Sequence, residues 1–152
     1  MRTIYTEVMK RLQTEVPALS GIELDSGQLK LIEKEETLPV TLPYALIDIS
    51  IPECSDITDK TQSCNGIVGV TLVFESFDMG KTSSNRPDAD RDLALTPFDV
   101  ISDVYKALQG YESVRFNTLS RISQGKVENE FFFVYKINFA CEFEDLTALL
   151  HL

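Results

Sequence analysis

The sequence is poor in the residues on which most enzymes depend. Its single histidine, His151, is the penultimate residue of a 152-residue chain, and the ends of chains are commonly frayed. A catalytic triad or a histidine acid–base pair is therefore disfavoured. Serine and cysteine side chains without a histidine to activate them are more often structural than nucleophilic. We predict that the protein is not an enzyme and has no catalytic residue or cofactor.

Cysteine is also scarce. The three cysteines, Cys54, Cys64 and Cys141, are odd in number and show no C-x-x-C spacing. This argues against a disulfide framework and against a zinc ribbon. We predict that all three are reduced, buried thiols.

Basic residues are outnumbered, with 14 lysines and arginines against 24 acidic residues and a net charge of −10. Binding to a nucleic-acid backbone needs a basic stripe, which the scattered lysines and arginines do not supply. The apolar stretches are far shorter than the ~20 residues of a membrane span. The amino-terminal segment is amphipathic and lacks a signal-peptide core. We expect a cytosolic protein that does not bind membranes.

Two short motifs suggest binding sites, and both are incomplete. Gly80-Lys81-Thr82 resembles part of a phosphate-binding loop, but Glu75 stands where that motif needs its first glycine. The alternating Asp88, Asp90 and Asp92 resemble a calcium loop. Its turn glycine is replaced by Leu93, however, and its last ligand would be Asp99 where a bidentate glutamate is usual. We assign no metal site.

The amino-terminal half predicts one helix and two strands. Ile4, Tyr5, Val8 and Leu12 recur at helical spacing before Pro17. A short extended piece is predicted over Gln28 to Ile32, and the charged run of residues 33–36 is predicted to be a solvated connection. Strands are predicted over Pro43 to Pro52 and over Ile67 to Phe77, the second of them central because both of its faces are apolar.

The carboxyl-terminal half predicts a helix and a hairpin. Thr96 as the N-cap and Pro97 at the first helical position start a helix that ends at Gly110. Its predicted buried stripe consists of Phe98, Ile101, Val104, Tyr105 and Leu108. Strands are predicted over Val114 to Ile122 and Phe131 to Phe143, the latter with an apolar residue at every odd position.

This order of elements predicts one α+β domain spanning residues 1–152. The sheet is mainly antiparallel, two principal helices pack on one face, and a long hairpin ends the chain. The polar loops 53–66 and 78–91 are predicted to be mobile.

The order and pattern of these elements resemble the tail terminator and tail completion proteins of long-tailed bacteriophages and prophages, the minor tail protein U-like family. The resemblance spans most of the chain. It rests on the order of six features: the amino-terminal helix, the strand Pro43-Tyr44-Ala45-Leu46-Ile47, the second strand followed by a polar loop, the Asp99 to Gly110 helix ending in Ala107-Leu108-Gln109-Gly110, the segment Phe116-x-x-Leu119-x-Arg121 and the final aromatic strand.

The resemblance implies a virion structural protein that assembles as a ring, commonly a hexamer, on the head-proximal end of the tail tube. Its partners would be other copies of itself, the tail tube protein and the head–tail connector, with DNA passing through an acidic lumen without sticking. Its location would be the virion tail, assembled in the cytoplasm of the bacterial host. A neck protein or a tail-tube component would show a similar pattern.

A ring of identical heterologous contacts needs two different patches on each subunit. The candidate patches are the loop 78–91 and the exposed face of the last strand, and the candidate interface residues are Asp78, Lys81, Arg86, Asp88, Arg91, Lys136 and Asn138. The alternative function is a small cytosolic ligand-binding or adaptor domain. As a ligand-binding domain, it would have a pocket between helices and sheet, lined by residues such as Tyr44, Tyr105 and Tyr135.

Overall fold

The computed structural model describes residues 1–34 and 40–149, which contain four helices and five strands. The elements in chain order are α1 (Arg2–Glu15), β1 (Gly21–Leu24), α2 (Gln28–Lys34), β2 (Tyr44–Asp56), β3 (Gln62–Glu75), α3 (Asp88–Ala94), α4 (Thr96–Leu108), β4 (Ser120–Val127) and β5 (Phe132–Asp145). His151, Glu35 and Glu36 lie outside the described residues.

The five strands form one sheet in the order β1-β2-β3-β5-β4. Strand β1 pairs with β2 in parallel, and the other three pairings are antiparallel. The predicted central position of β3 is confirmed. The predicted α+β fold with a mainly antiparallel sheet is confirmed as well.

The larger core lies between the sheet and helices α1 and α4, on the side that we call the helix face. Helix α1 contributes the predicted residues Ile4, Val8 and Leu12. Odd-numbered residues of β5 and even-numbered residues of β3 point into this core because side chains alternate along a strand. The Arg11 Nε atom donates to the carbonyl oxygen of Ala107 at 2.9 Å and joins the two helices.

The opposite side of the sheet, the outer face, has a small apolar cluster at one end. Tyr44, Leu46, Val73 and Val134 form it, and Leu29 of α2 packs against it. Burial and the neighbouring Glu23 carboxylate raise the pKa of Tyr44 to about 12. The rest of the outer face is not covered by a described helix and is mostly polar.

Near the amino terminus one prediction is wrong and one strand was not predicted. The segment predicted to be extended, Gln28 to Ile32, begins helix α2, whose Ile32 side chain is buried. Strand β1 was missed altogether. Both elements are very short, and α2 is held partly by a distant contact in which the Asn129 amide donates to the Glu33 carboxylate.

The loop predicted over residues 53–66 is mostly strand. Strands β2 and β3 run to Asp56 and from Gln62, so the turn comprises only residues 57–61. Pro52 does not end β2 but lies at a bulge between Ser50 and Glu53, one of the positions at which a sheet tolerates proline. Cys54 is exposed rather than buried, whereas Cys64 and Cys141 are buried as predicted.

The loop predicted over residues 78–91 ends earlier, because α3 begins at Asp88. The predicted N-cap of the next helix is shifted by one residue: Thr96 is the first residue of helix α4, and Leu95 is its N-cap. In the predicted stripe Ile101, Val104 and Leu108 are buried, but Phe98 is 45% exposed.

The closing hairpin is confirmed with shifted boundaries. Strand β4 begins at Ser120 rather than near Val114, and β5 covers Phe132–Asp145. Phe133, Ile137 and Phe139 point into the helix-face core, as the odd-position pattern predicts.

Replacing Gly21 with alanine should destabilise the protein. An added Cβ at Gly21 would collide with the ring of the buried Tyr44, and overpacking of this kind costs about 1–3 kcal/mol. Gly125→Ala is the matched control in another edge strand, since nothing lies within 4 Å of a Cβ there. Urea unfolding should show a lower midpoint for Gly21→Ala alone. Equal midpoints for both variants would contradict the packing of Tyr44 on β1.

Candidate assembly surfaces

The middle of the outer face carries an ion pair that crosses the central strand. Lys136 of β5 and Asp48 of β2 are separated by β3, and the Lys136 Nζ atom lies 3.1 Å from an Asp48 carboxylate oxygen. The pair passes over Gly69, where an added Cβ would lie 2.7 Å from the same carboxylate. The missing side chain of Gly69 therefore makes room for the contact.

Asn138 lies next to this pair on the outer face. Its side-chain amide donates to the Ser123 hydroxyl at 3.0 Å, across the pairing of β5 with the edge strand β4. Lys136 and Asn138 are both half-buried. The two residues predicted from the last strand thus share one polar surface, as the sequence pattern required.

The loop between β3 and α3 holds the first group of predicted interface residues. The Lys81 ammonium lies 2.7 Å from Asp78 Oδ2 and keeps the pKa of that carboxyl below its usual range. The Arg86 guanidinium donates through Nε to the Gly80 carbonyl oxygen at 3.3 Å. Lys81 and Arg86 both line a shallow cavity of about 390 Å³.

Helix α3 holds the second group. Arg91 contacts the Asp88 carboxylate at 3.0 Å and the Asp92 carboxylate at 3.8 Å. Residues 88–94 are helical, so the aspartates do not lie on a calcium-binding loop and two of them pair with an arginine. In residues 1–34 and 40–149 no three histidine, cysteine or acidic side chains are grouped to hold a metal ion.

The predicted interface residues therefore form two separate patches. Asp78, Lys81, Arg86, Asp88 and Arg91 lie in the continuous stretch that leads into α4, which we call the loop patch. Lys136 and Asn138 lie on the outer face of the sheet, which we call the sheet patch, and none of the described ion pairs or hydrogen bonds joins the two.

An aromatic cluster lies beside the loop patch and was not predicted. The rings of Phe77, Phe98 and Phe133 are mutually adjacent, with centroid separations between 4.8 and 6.5 Å. An open groove of about 610 Å³ runs past Phe77 and includes Asp78 and Lys81. Of the three rings only Phe98 is exposed, whereas Phe77 is half-buried and Phe133 is buried. An exposed aromatic ring next to charged side chains is typical of protein–protein contact surfaces.

The far end of the sheet forms a strongly acidic projection. Residues 53–56, 62–65 and 142–145 form a three-stranded ribbon beyond the ends of β1 and β4. This distal ribbon carries five carboxylates and no lysine or arginine: Glu53, Asp56, Glu142, Glu144 and Asp145. Hydrogen bonds from Thr147 lower the pKa of Asp145. The sequence pattern missed this surface because only strand register brings the three segments together.

The tyrosines of the alternative ligand-binding prediction do not line a common pocket. Tyr44 belongs to the outer-face cluster, whereas Tyr105 and Tyr135 pack against the helix-face core. The ring of Tyr105 is covered by the Arg121 guanidinium, whose carbon lies 4.0 Å from the ring centroid. The predicted pocket is therefore wrong for this set of residues.

The described helices are all too short or too polar to cross a membrane. The sequence matches no protein-family model and no curated protein.

The fold is similar to that of a chain in a solved structure described as "Virion of native gene transfer agent (GTA) particle". The TM-score is 0.52 at 15% sequence identity, and the similarity covers 91% of this chain and 92% of that chain. The two chains therefore share a fold over nearly their whole lengths.

Proposed function

We propose that this protein is a structural subunit of a phage-like virion. The observation that carries the proposal is the shared fold with a chain of a gene transfer agent particle, which covers 91% of this chain and 92% of that chain. Nearly complete coverage of both chains means that the likeness is not confined to one common motif. A virion subunit works through its surfaces, which agrees with the polar and acidic patches described above.

More narrowly, we propose that six copies of the protein assemble into a tail terminator-like ring, the number that the family resemblance implies. Such a ring caps the tail tube and joins it to the head connector. Neighbouring copies would meet through the loop patch of one subunit and the sheet patch of the next, because a closed ring needs two different complementary surfaces. The separation of these patches on the subunit supports this arrangement.

Strand edges offer a second support for contact between copies. Strand β4 is an edge strand whose residues are exposed at nearly every position. Strand β2 is covered by β1 only from Tyr44 to Ile47. Exposed edges present unpaired backbone groups that favour association with another chain.

The charge of the subunit supports the passage of DNA through the ring. Each copy carries a net charge of −10, and the distal ribbon concentrates carboxylates without a basic residue. A surface of this kind repels phosphates and releases no counterions on contact with them. We propose that the distal ribbon faces the passing DNA.

Immunogold labelling tests the virion assignment. Antibodies against the purified protein would be applied to phage-like particles released by cells that carry the gene. We expect gold at the junction of head and tail. Label along the tail would keep the virion assignment but overturn the terminator role. Particles that carry no label and do not contain this protein would contradict both.

A further inference from the structure

Cys54 and Cys64 face each other across two neighbouring strands. They are direct partners in the antiparallel pairing of β2 with β3, on either side of the turn of residues 57–61, and their Sγ atoms lie 3.0 Å apart. Cys141 is placed differently, because it pairs with Gly66 on the next strand. Two of the three thiols are therefore in contact within one hairpin.

The position of the pair in the ladder suits a covalent link. The Ile57 amide donates to the Thr61 carbonyl oxygen. Ile57 and Thr61 are therefore a hydrogen-bonded pair, and hydrogen-bonded and non-hydrogen-bonded pairs alternate along antiparallel strands. Cys54 and Cys64 are the third pair along from it, so they form a non-hydrogen-bonded pair. The Cα atoms of such pairs are about 4.5 Å apart, within the range of about 4.4–6.8 Å that a disulfide spans.

The two thiols differ in accessibility. Cys54 is exposed, whereas Cys64 is 1% exposed. The hydrogen bond with Cys54 and the burial of Cys64 raise the pKa of the Cys64 thiol to about 11. Cys54 is thus the thiol that a reagent in solution meets first, and Cys64 stays protonated until its neighbour has reacted.

We propose that Cys54 and Cys64 form a reversible dithiol–disulfide site that is oxidised by a low-molecular-weight disulfide such as oxidised glutathione. The Cys54 thiolate attacks one glutathione sulfur, breaks the S–S bond and releases one glutathione thiolate, which takes up the proton that Cys54 lost. Cys64 then gives its proton to water and attacks the Cys54 sulfur, which releases the second glutathione. The two electrons and two protons lost by the protein end on two glutathione molecules.

The link would act on the distal ribbon. It would close the hairpin around residues 55–63 and hold β2 to β3 beyond the point where β1 and β4 support the sheet. The acidic end of the molecule would therefore change from a hairpin held by backbone pairing and side-chain contacts alone to a covalently linked one when the surroundings become oxidising. This inference does not depend on the proposed function.

The test is to incubate the complete, unmodified chain with oxidised glutathione and to measure its intact mass and peptide map. We expect a loss of two hydrogen atoms, one linked peptide containing Cys54 and Cys64, and two reduced glutathione molecules released per chain. An excess of reduced glutathione should restore all three thiols. A chain that keeps three free thiols, stops at a glutathione adduct or links through Cys141 would overturn the proposal.

Single variants separate the two steps. Cys64→Ala should stop at an adduct on Cys54. Cys54→Ala should react at least about tenfold more slowly, since the two remaining thiols, Cys64 and Cys141, are both buried. Cys141→Ala is the matched control and should oxidise like the native chain. Equal oxidation rates in Cys54→Ala and the native chain would also overturn the proposal.

Discussion

Replacing Phe139 with alanine should lower the free energy of unfolding by about 3–5 kcal/mol. The ring is fully buried in the helix-face core, and Phe139 pairs with Val68 of the central strand. Its removal deletes apolar contacts on β5 and leaves a cavity that the surrounding strands and helices fill only in part. Urea unfolding followed by circular dichroism measures the loss.

Phe131→Ala is the matched control for this change. Phe131 lies one residue before β5 and is 53% exposed. The same deletion there should change the free energy of unfolding by no more than about 0.5 kcal/mol, as is usual for surface substitutions. Equal losses at the two positions would contradict the assignment of the buried face of β5.

The double substitution Arg86→Glu with Arg91→Glu should abolish ring assembly while leaving the fold nearly unchanged. Both arginines belong to the loop patch, and their contacts lie within that patch or α3. The loss of half-exposed ion pairs costs roughly 0.2–1 kcal/mol each. Two reversed charges on a contact surface would instead repel the acidic neighbouring subunit.

Sedimentation of the double variant measures the loss of assembly. Lys10→Glu with Lys106→Glu is the control, since it makes the same change in net charge at exposed positions of α1 and α4. The control should assemble like the native chain. If the arginine variant assembled as well as the control, the loop patch would not be an interface.

The sequence predicted the parts of the fold that are buried on one face. The odd positions of β5 and the residues Ile101, Val104 and Leu108 of α4 were assigned correctly. Burial of one face requires apolar residues at regular spacing. That spacing can be recognised in the sequence without knowing which helices or strands pack against the element. Phe98 departs from it because it packs with Phe77 and Phe133 at the edge of the core.

The distal ribbon could not be predicted from pattern alone. Residues 53–56 are exposed throughout, so they show no alternation of buried and exposed side chains. Their strand structure comes from pairing with residues 62–65. Backbone pairing determines this strand structure, and the types of the side chains give little sign of it. The polar composition therefore led to the prediction of a loop.

The surfaces were predicted in part. The sequence identified Lys136 and Asn138 as residues of a half-exposed strand face, but it gave no sign that Lys136 meets Asp48 across Gly69. That contact depends on the order of strands in the sheet. Similarly, Cys54 and Cys64 were expected to be separate buried thiols, and only the register of β2 with β3 brings their sulfur atoms together.

The mass of the purified protein in solution tests the ring most directly. Light scattering would be recorded over a wide range of concentration at low and at physiological salt. The account predicts a closed species of six times 17.1 kDa with a mass that does not grow further as concentration rises. A strict monomer at every concentration and both salt levels would contradict the ring.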